Sequence, residues 1–268
     1  MMQFRAAFLL LALAAVAPMF AGIAAEVTLP VAGQLELSDN LIYRTELTVT
    51  NHRDVPQYVL FELVQDGHVA PFRGFRLQPR ETKFLADGGF GSGPGRANRI
   101  AALRIRSVFD LESEQSDPHG LIEANAFVVA DRPVSRGASR QEVAGISSDE
   151  YHAEEAVFLG VRHSPGTGAY TNVGITNLHP TQTETFYVLF EFHTEPIAVV
   201  VPPLQMRQIR ISGPGNSGRS LRVYPEWSIG DGQPSRTTPW VAYASTVDTH
   251  TGDAFSGMRV PATSFFDR

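Results

Sequence analysis

Eight histidines, at positions 52, 68, 119, 152, 163, 179, 193 and 250, and 28 carboxylates are the side chains here with types suited to acid–base, metal or hydrolytic chemistry. Their spacing carries little of it. No H-E-x-x-H pair occurs, since His152-Ala-Glu-Glu supplies acids without a second histidine, and no G-x-S-x-G nucleophile elbow is present. Asp248-Thr-His-Thr-Gly-Asp253 sets two acids around a glycine. Calcium, however, takes roughly six to eight oxygens, so a hairpin turn with Gly252 at positive φ is the expected reading. Two Gly-rich stretches, Gly88–Arg96 and Gly213–Arg219, have backbone N–H groups that suit an anion. A phosphate loop needs Gly-Lys-Ser/Thr opening a helix, whereas here Arg96 and Arg219 lead into strands, and both stretches read as inter-strand loops. The chain contains no cysteine, which excludes thiol nucleophiles, cysteine-bound zinc and disulfides. The expectation is no catalytic residue, no metal and no cofactor. A hydrolase or metal-dependent enzyme, with its site gathered by folding from dispersed His and Asp, stays open as an alternative.

Aromatic residues in loops offer a different chemistry. Asp110–Asp117 is an acidic, flexible loop by composition, and its twin is Tyr224-Pro-Glu-Trp-Ser-Ile-Gly-Asp-Gly. Both are expected to join the same pair of strands and to emerge at the same end of their domains. A flat amphipathic ring on a β-scaffold buries contact area at little entropic cost, which suits sugars or proteins. Tyr224, Trp227, Trp240 and Tyr243 are therefore the candidate binding residues. A tryptophan that plugs the end of a sandwich is the competing role.

The scaffold that must position these groups is legible from a repeat. Tyr-Val-Leu-Phe-Glu occurs at 58–62 and again at 187–191, preceded by RTELTVTN (Arg44–Asn51) and YTNVGITN (Tyr170–Asn177). Leu47 and Val49, like Val173 and Ile175, alternate with polar positions, and each run ends in Thr-Asn before a proline-containing turn. This is the period of a half-buried strand. In the next strand Val59, Phe61 and Leu63 face one way, with Val188, Phe190 and Phe192 as counterparts and Glu62 and Glu191 outward. Leu77-Gln-Pro-Arg then matches Val201-Pro-Pro-Leu, Leu103-Arg-Ile matches Leu221-Arg-Val, and Ala124-Asn-Ala-Phe-Val-Val matches Ala242-Tyr-Ala-Ser-Thr-Val. No window holds a 3.6-residue apolar period. Six or seven short strands per copy, divided by Gly, Pro, Asn and Asp, predict an all-β chain of two tandem antiparallel β-sandwiches related by duplication. Ser147-Ser-Asp-Glu150 is a capping-box pattern, so one helical turn is expected around Asp149–Glu155.

The first 25 residues follow the charged–apolar–small order of a secretory signal peptide: Arg5, an apolar run from Ala6, then Gly22, Ala24 and Ala25 before Glu26. Pro18 interrupts the run, leaving it short for a bilayer. The expected plan is signal peptide 1–25, first sandwich 26–146, linker 147–155 and second sandwich 156–268. No transmembrane segment is expected after cleavage, so the protein is expected in the periplasm or at the cell surface. The whole chain has 22 basic and 28 acidic residues and a net charge of −6. Neither half is basic, and no nucleic-acid partner is expected.

The run Arg-Thr-x-Leu-x-Val-x-Asn, an aromatic-rich strand, a Pro-marked turn, a Gly-rich loop and the closing Ala244–Phe255 resembles tandem immunoglobulin- or fibronectin-III-like repeats of exported bacterial proteins. Leu47–Val59 is also similar to the first domain of periplasmic pilus chaperones. In those the two domains differ, whereas here they resemble each other, and no counterpart of the chaperones' anchoring Arg–Lys pair is placed: Lys83 is the sole lysine. The resemblances imply a non-enzymatic structural, adhesive or binding role at the cell envelope, with a protein or glycan partner met at domain-end loops or strand edges. An assembly chaperone or pilus-related subunit is the alternative.

Overall fold

The structure, a computed structural model, describes residues 22–36, 42–86, 99–131, 139–162, 168–191, 194–211, 220–228, 238–248 and 254–260. Expectations for both Gly-rich stretches, for the turn at 249–253 and for the apolar segment 6–21 fall outside them. The chain is all-β. In the first copy the strands are β1 (Glu26–Glu36), β2 (Ile42–Asn51), β3 (Gln57–Gln65), β4 (His68–Leu77), β5 (Thr82–Leu85), β6 (Arg99–Val108), β7 (Ile122–Asp131), β8 (Ser139–Ala144) and β9 (Ile146–Ser147). The second copy has β10 (Ala156–Leu159), β11 (Ala169–Asn177), β12 (Glu184–Phe190), β13 (Ile197–Val201), β14 (Gln205–Arg210), β15 (Ser220–Pro225), β16 (Trp240–Asp248), β17 (Ala254–Ser256) and β18 (Met258–Val260).

Pairing repeats strand for strand. In the second copy β13-β12-β15-β10-β18 form one antiparallel layer and β14-β11-β16-β17 the other. Nine positions earlier in strand order, β4-β3-β6-β1-β9 and β5-β2-β7-β8 make the same two layers. One pairing has no counterpart among the described residues: Gln34–Glu36, at the end of β1, pairs with Ile42–Arg44 of β2 and joins the first copy's layers into a continuous ladder.

The repeated pentapeptide fills the same slot twice. Val59 and Phe61 are fully buried between β4 and β6, and Val188 and Phe190 occupy the matching core. Leu47, Val49, Ile122 and Ala124 close the first core from the other layer, and Val173, Ile175, Trp240 and Ala242 close the second. The register of β6 against β15 differs from that expected. Phe61 faces Ile105 and Phe190 faces Leu221, so Ile105, not Leu103, is the counterpart of Leu221. A two-residue slip preserves the buried face, so alternation is blind to it.

Asn51 and Asn177 end β2 and β11 in matching locks. Each is wholly buried. Asn51 Nδ2 donates to the carbonyls of Val55 and Gln78, while Asn177 Nδ2 donates to those of Gln182 and Val201. Each Oδ1 accepts the N–H two residues on, from Arg53 or His179. A buried amide saturated by backbone groups fixes the Pro-containing corner.

Between the copies the helical turn is shorter than the capping pattern predicts: a 3₁₀ turn at Ser148–Glu150, with no side-chain cap from Ser147. Ser147 pairs with Val27 in β9, and its hydroxyl donates to the Glu150 side chain at 3.5 Å rather than accepting a backbone N–H of the turn. At the N-terminal end, Ala24 exchanges hydrogen bonds with Ile122 (3.1 and 2.9 Å), and the Ala25 carbonyl accepts Ser107 N–H at 2.8 Å. The expected cleavage point at Ala25 thus falls within a paired segment. No helix among the described residues is long and apolar enough to cross a membrane.

β16 shows how the copies meet. A strand with one solvated face alternates, yet Trp240–Val247 is buried throughout. Trp240, Ala242 and Ala244 enter the second core, while Tyr243 packs with the first core and Ser245 Oγ donates to Gln141 Oε1 at 2.9 Å. Tyr243 lies opposite Gly174 of β11. A Cβ at Gly174 would stand 2.0 Å from the Tyr243 ring, so glycine makes the space that ring occupies.

Candidate binding surface

On the solvent side of the second copy's five-stranded layer, alternation in β12 turns Tyr187 outward because Phe186, Val188 and the core-facing Phe190 turn inward or flank it in register. Its cross-strand partner is Tyr224 on β15. The rings stack, with centroids 5.7 Å apart and planes inclined by 26°. Pro225 closes β15 and the chain enters a 3₁₀ turn, Glu226–Ser228, which packs against β12. That turn brings Glu226 Oε1 to 3.2 Å from the Tyr187 hydroxyl, which donates to it. Partial desolvation, then the Glu226 carboxylate, hold the Tyr187 hydroxyl above the ordinary phenol range.

Arg222, the residue opposite Leu189, sits 5.9 Å from the Tyr224 ring centroid and donates through Nε to Glu155 Oε2 at 2.7 Å. Trp227 follows Glu226 in the turn, half-buried, and its indole N–H has no hydrogen-bond partner. Two parallel rings, a carboxylate and a guanidinium–carboxylate pair therefore occupy one end of one sheet face, with the Trp227 indole N–H buried beneath the turn. Such a set can stack against a flat partner and exchange hydrogen bonds with its hydroxyl or amide groups.

The four candidate residues separate into two pairs. Tyr224 and Trp227 lie on this surface. Trp240 is buried against Phe186, ring centroids 5.3 Å apart, with its indole N–H donating to the Ala153 carbonyl at 2.9 Å. Tyr243 is buried at the junction, donates to Gln208 Oε1 at 2.8 Å, and has its pKa raised by burial. Tyr187 and Glu226 complete the surface without having been singled out. The signal for Tyr187 was available: it is next to Val188 in a strand with known inward positions, and its outward parity matches that of Tyr224.

The first copy treats the same face differently. Tyr58 faces Val108, so no ring pair forms. Glu62 points away from the core, as expected, yet is only 4% exposed because Arg104 Nε and Arg106 Nε donate to it at 2.7 and 3.1 Å. The loop after β6 does join the strands equivalent to those joined by its twin. It folds back over the sheet, with Leu111 against Gly74, where an added Cβ would lie 2.5 Å from Leu111 Cδ2. Asp110 Oδ1 accepts the N–H groups of Ser113 and Glu112, bonds that lower its pKa, those from Ser113 most.

His52 pairs with Glu123 at 2.7 Å, and His179 Nδ1 accepts the N–H groups of Thr181 and Gln182 in its turn. Among the described residues no group of three or more His, Asp or Glu is placed to hold a metal ion.

Fold and surface together define an all-β protein of duplicated antiparallel sandwiches with an aromatic patch on one copy. No family model matches the chain, and no curated protein does. Among solved structures it is similar to the M60 catalytic domain with the CBM51-1 and CBM51-2 domains from Clostridium perfringens ZmpB, at 7% identity and a TM-score of 0.19. That match covers 83% of this chain and 33% of the other, so the chain spans about a third of that structure's length.

Proposed function

We propose that this chain is an exported, non-enzymatic binding protein of the bacterial cell envelope, built from two immunoglobulin- or fibronectin-III-like domains. Its ligand is an envelope glycan, taken on the Tyr187–Tyr224 face. The observation that carries the reading is the stacked tyrosine pair with Glu226 bonded to the Tyr187 hydroxyl. Sugar rings offer an apolar C–H face and equatorial hydroxyls, and this patch offers ring faces beside carboxylates and a guanidinium. The signal-peptide pattern supports export.

The test is cosedimentation of the purified protein with peptidoglycan sacculi, backed by a glycan array. Losing one stacked ring removes about 1–2 kcal/mol, so Tyr187→Ala and Tyr224→Ala should each weaken binding by roughly tenfold. Tyr187→Phe, which keeps the ring and loses only the Glu226 bond, should have the smaller effect. Undiminished binding by the double alanine variant would remove this face from the mechanism. A wild-type protein that retains no glycan on either support would remove the function.

A further inference from the structure

We infer that the free edge of β13 pairs with β13 of a second copy of this chain, in an antiparallel ladder that makes one sheet continuous across a two-fold axis. A sheet edge is a row of unpaired backbone donors and acceptors, and proteins blunt such edges with charge, proline, bulges or brevity. The described edges of this molecule show all four devices except at one place. β4, the counterpart of β13, carries His68, Pro71, Arg73 and Arg76, with a bulge opposite Phe61/Glu62. β14 carries Arg207 and Arg210, β5 has four residues including Lys83, and β17 and β18 have three residues each. β8 carries Arg140 and Glu142 and packs against β17.

β13 reads Ile-Ala-Val-Val-Val, with no charge, proline or bulge. On one side it pairs with β12; among the described residues nothing pairs with the other. Val200 is 58% exposed, and Ile197 is 37% exposed. Ile197 has the parity of the buried Val199 and Val201, and among the described residues no strand lies beyond it.

The sequence around β13 selects a second copy as the occupant. Pro196 precedes the strand and Pro202 and Pro203 follow it. Prolines cannot donate to a ladder, so pairing is confined to the five strand residues. Antiparallel partners must match in which residues point their backbone groups outward, and only the register centred on Val199 satisfies this while pairing all five. That register sets Val199 opposite Val199, Ala198 opposite Val200 and Ile197 opposite Val201. It is self-complementary, as a two-fold interface requires, and Glu195 meets Pro203 of the other copy rather than another acid. The inference is independent of what the tyrosines bind. It would, however, place the Tyr187 residues of the two copies three strand spacings apart and two residues out of line, roughly 16 Å.

The test uses the purified chain and its lack of cysteine. Sedimentation equilibrium across about 2–200 µM should show a reversible dimer. Val200→Lys, at an exposed position, should weaken the dimer at least tenfold with an unchanged thermal melt, and Val200→Thr should leave it intact. Ala198→Cys and Val200→Cys are then prepared singly, mixed under reductant and oxidised. Opposed residues lie about 4.5–5.5 Å apart between Cα atoms, within disulfide reach. A covalent dimer should form in the mixture and not from either variant alone. A monomer at the highest concentration, a dimer indifferent to Val200→Lys, or cross-linking equal in mixed and unmixed samples each overturns the inference.

Discussion

Replacing Asn177 with alanine should destabilise the second copy severely while touching no exposed group. Its amide makes three hydrogen bonds: Nδ2 to Gln182 O at 2.7 Å and Val201 O at 3.0 Å, and Oδ1 from His179 N–H at 2.8 Å. Gln182 and His179 are half-buried, so water can reach their backbone groups after truncation, and those bonds forfeit about 1 kcal/mol each. Val201 is fully buried, and its carbonyl would be orphaned at about 1–3 kcal/mol. The sum is about 4 kcal/mol, which for a sandwich of this size lowers the melting temperature by roughly 15 °C. Asn177→Asp should be no milder, since it would aim a carboxylate at two carbonyls. The assay has a built-in reporter, because both tryptophans, Trp227 and Trp240, lie in the second copy. Urea unfolding followed by tryptophan emission reads that copy, and calorimetry reads the whole chain. Asn51→Ala, which breaks the matching lock, should lower the first copy's transition by a comparable amount. A loss below about 1 kcal/mol for Asn177→Ala would refute the reasoning, because the corner would then be held by something other than its buried amide.

Three further expectations follow from the junction and the buried tyrosines. Gly174→Ala should destabilise by about 2–3 kcal/mol through collision with Tyr243. Adding Tyr243→Ala should recover part of that loss, and a double-mutant cycle with no coupling would contradict the contact. Tyr151 is buried with its hydroxyl 2.6 Å from Thr28 Oγ1, and burial followed by the charge of Glu26 raises its pKa above the ordinary 10.0. A raised folded value means the contribution to stability is whole below pH 10.0 and is lost as pH climbs beyond it, so Tyr151→Phe should flatten the alkaline limb of the stability profile. Phenolate absorbance should show Tyr151 and Tyr243 ionising with unfolding rather than with the exposed tyrosines.

How much was legible in the sequence depended on whether a residue's role is set by its own strand. Parity placed Val59, Phe61, Val188 and Phe190 inward, and the repeat implied two equal sandwiches, because local alternation and buried faces go together. The offset between β6 and β15 was misread because Leu103 and Ile105 share a face, and only the cross-strand partner of Phe61 distinguishes them. Trp240 and Tyr243 looked like recognition groups from composition, yet their surroundings come from elements distant in sequence: Ala153 in one case, the first copy's core in the other. The surface around Tyr187 was hidden for the opposite reason. Its pentapeptide is accounted for by packing alone, and nothing in that pattern distinguishes an outward ring with a ring opposite it from one without.

That pentapeptide also shows how two copies of one framework came to differ. Tyr58 and Tyr187 hold equivalent positions, and so do Glu62 and Glu191. What separates them lies across the strand gap. Tyr58 faces Val108 where Tyr187 faces Tyr224, and Arg104, which pairs with Glu62, stands where the second copy has Ser220. The Ser220 N–H and hydroxyl then satisfy Glu191, and Arg222 is committed to Glu155 instead of to the pentapeptide's glutamate. The first copy therefore spends its outer face on an internal ion cluster and a folded-back loop, whereas the second presents rings. Introducing Val108→Tyr into the first copy should build a second ring pair only if the β6–β7 loop yields, so that variant separates two causes of the asymmetry: the missing partner ring and the loop above it. An unchanged near-ultraviolet circular dichroism spectrum would identify the loop as the barrier, and a changed spectrum without added glycan retention would show that a ring pair alone is not enough. Added retention on sacculi would show that one substitution in β6 is enough.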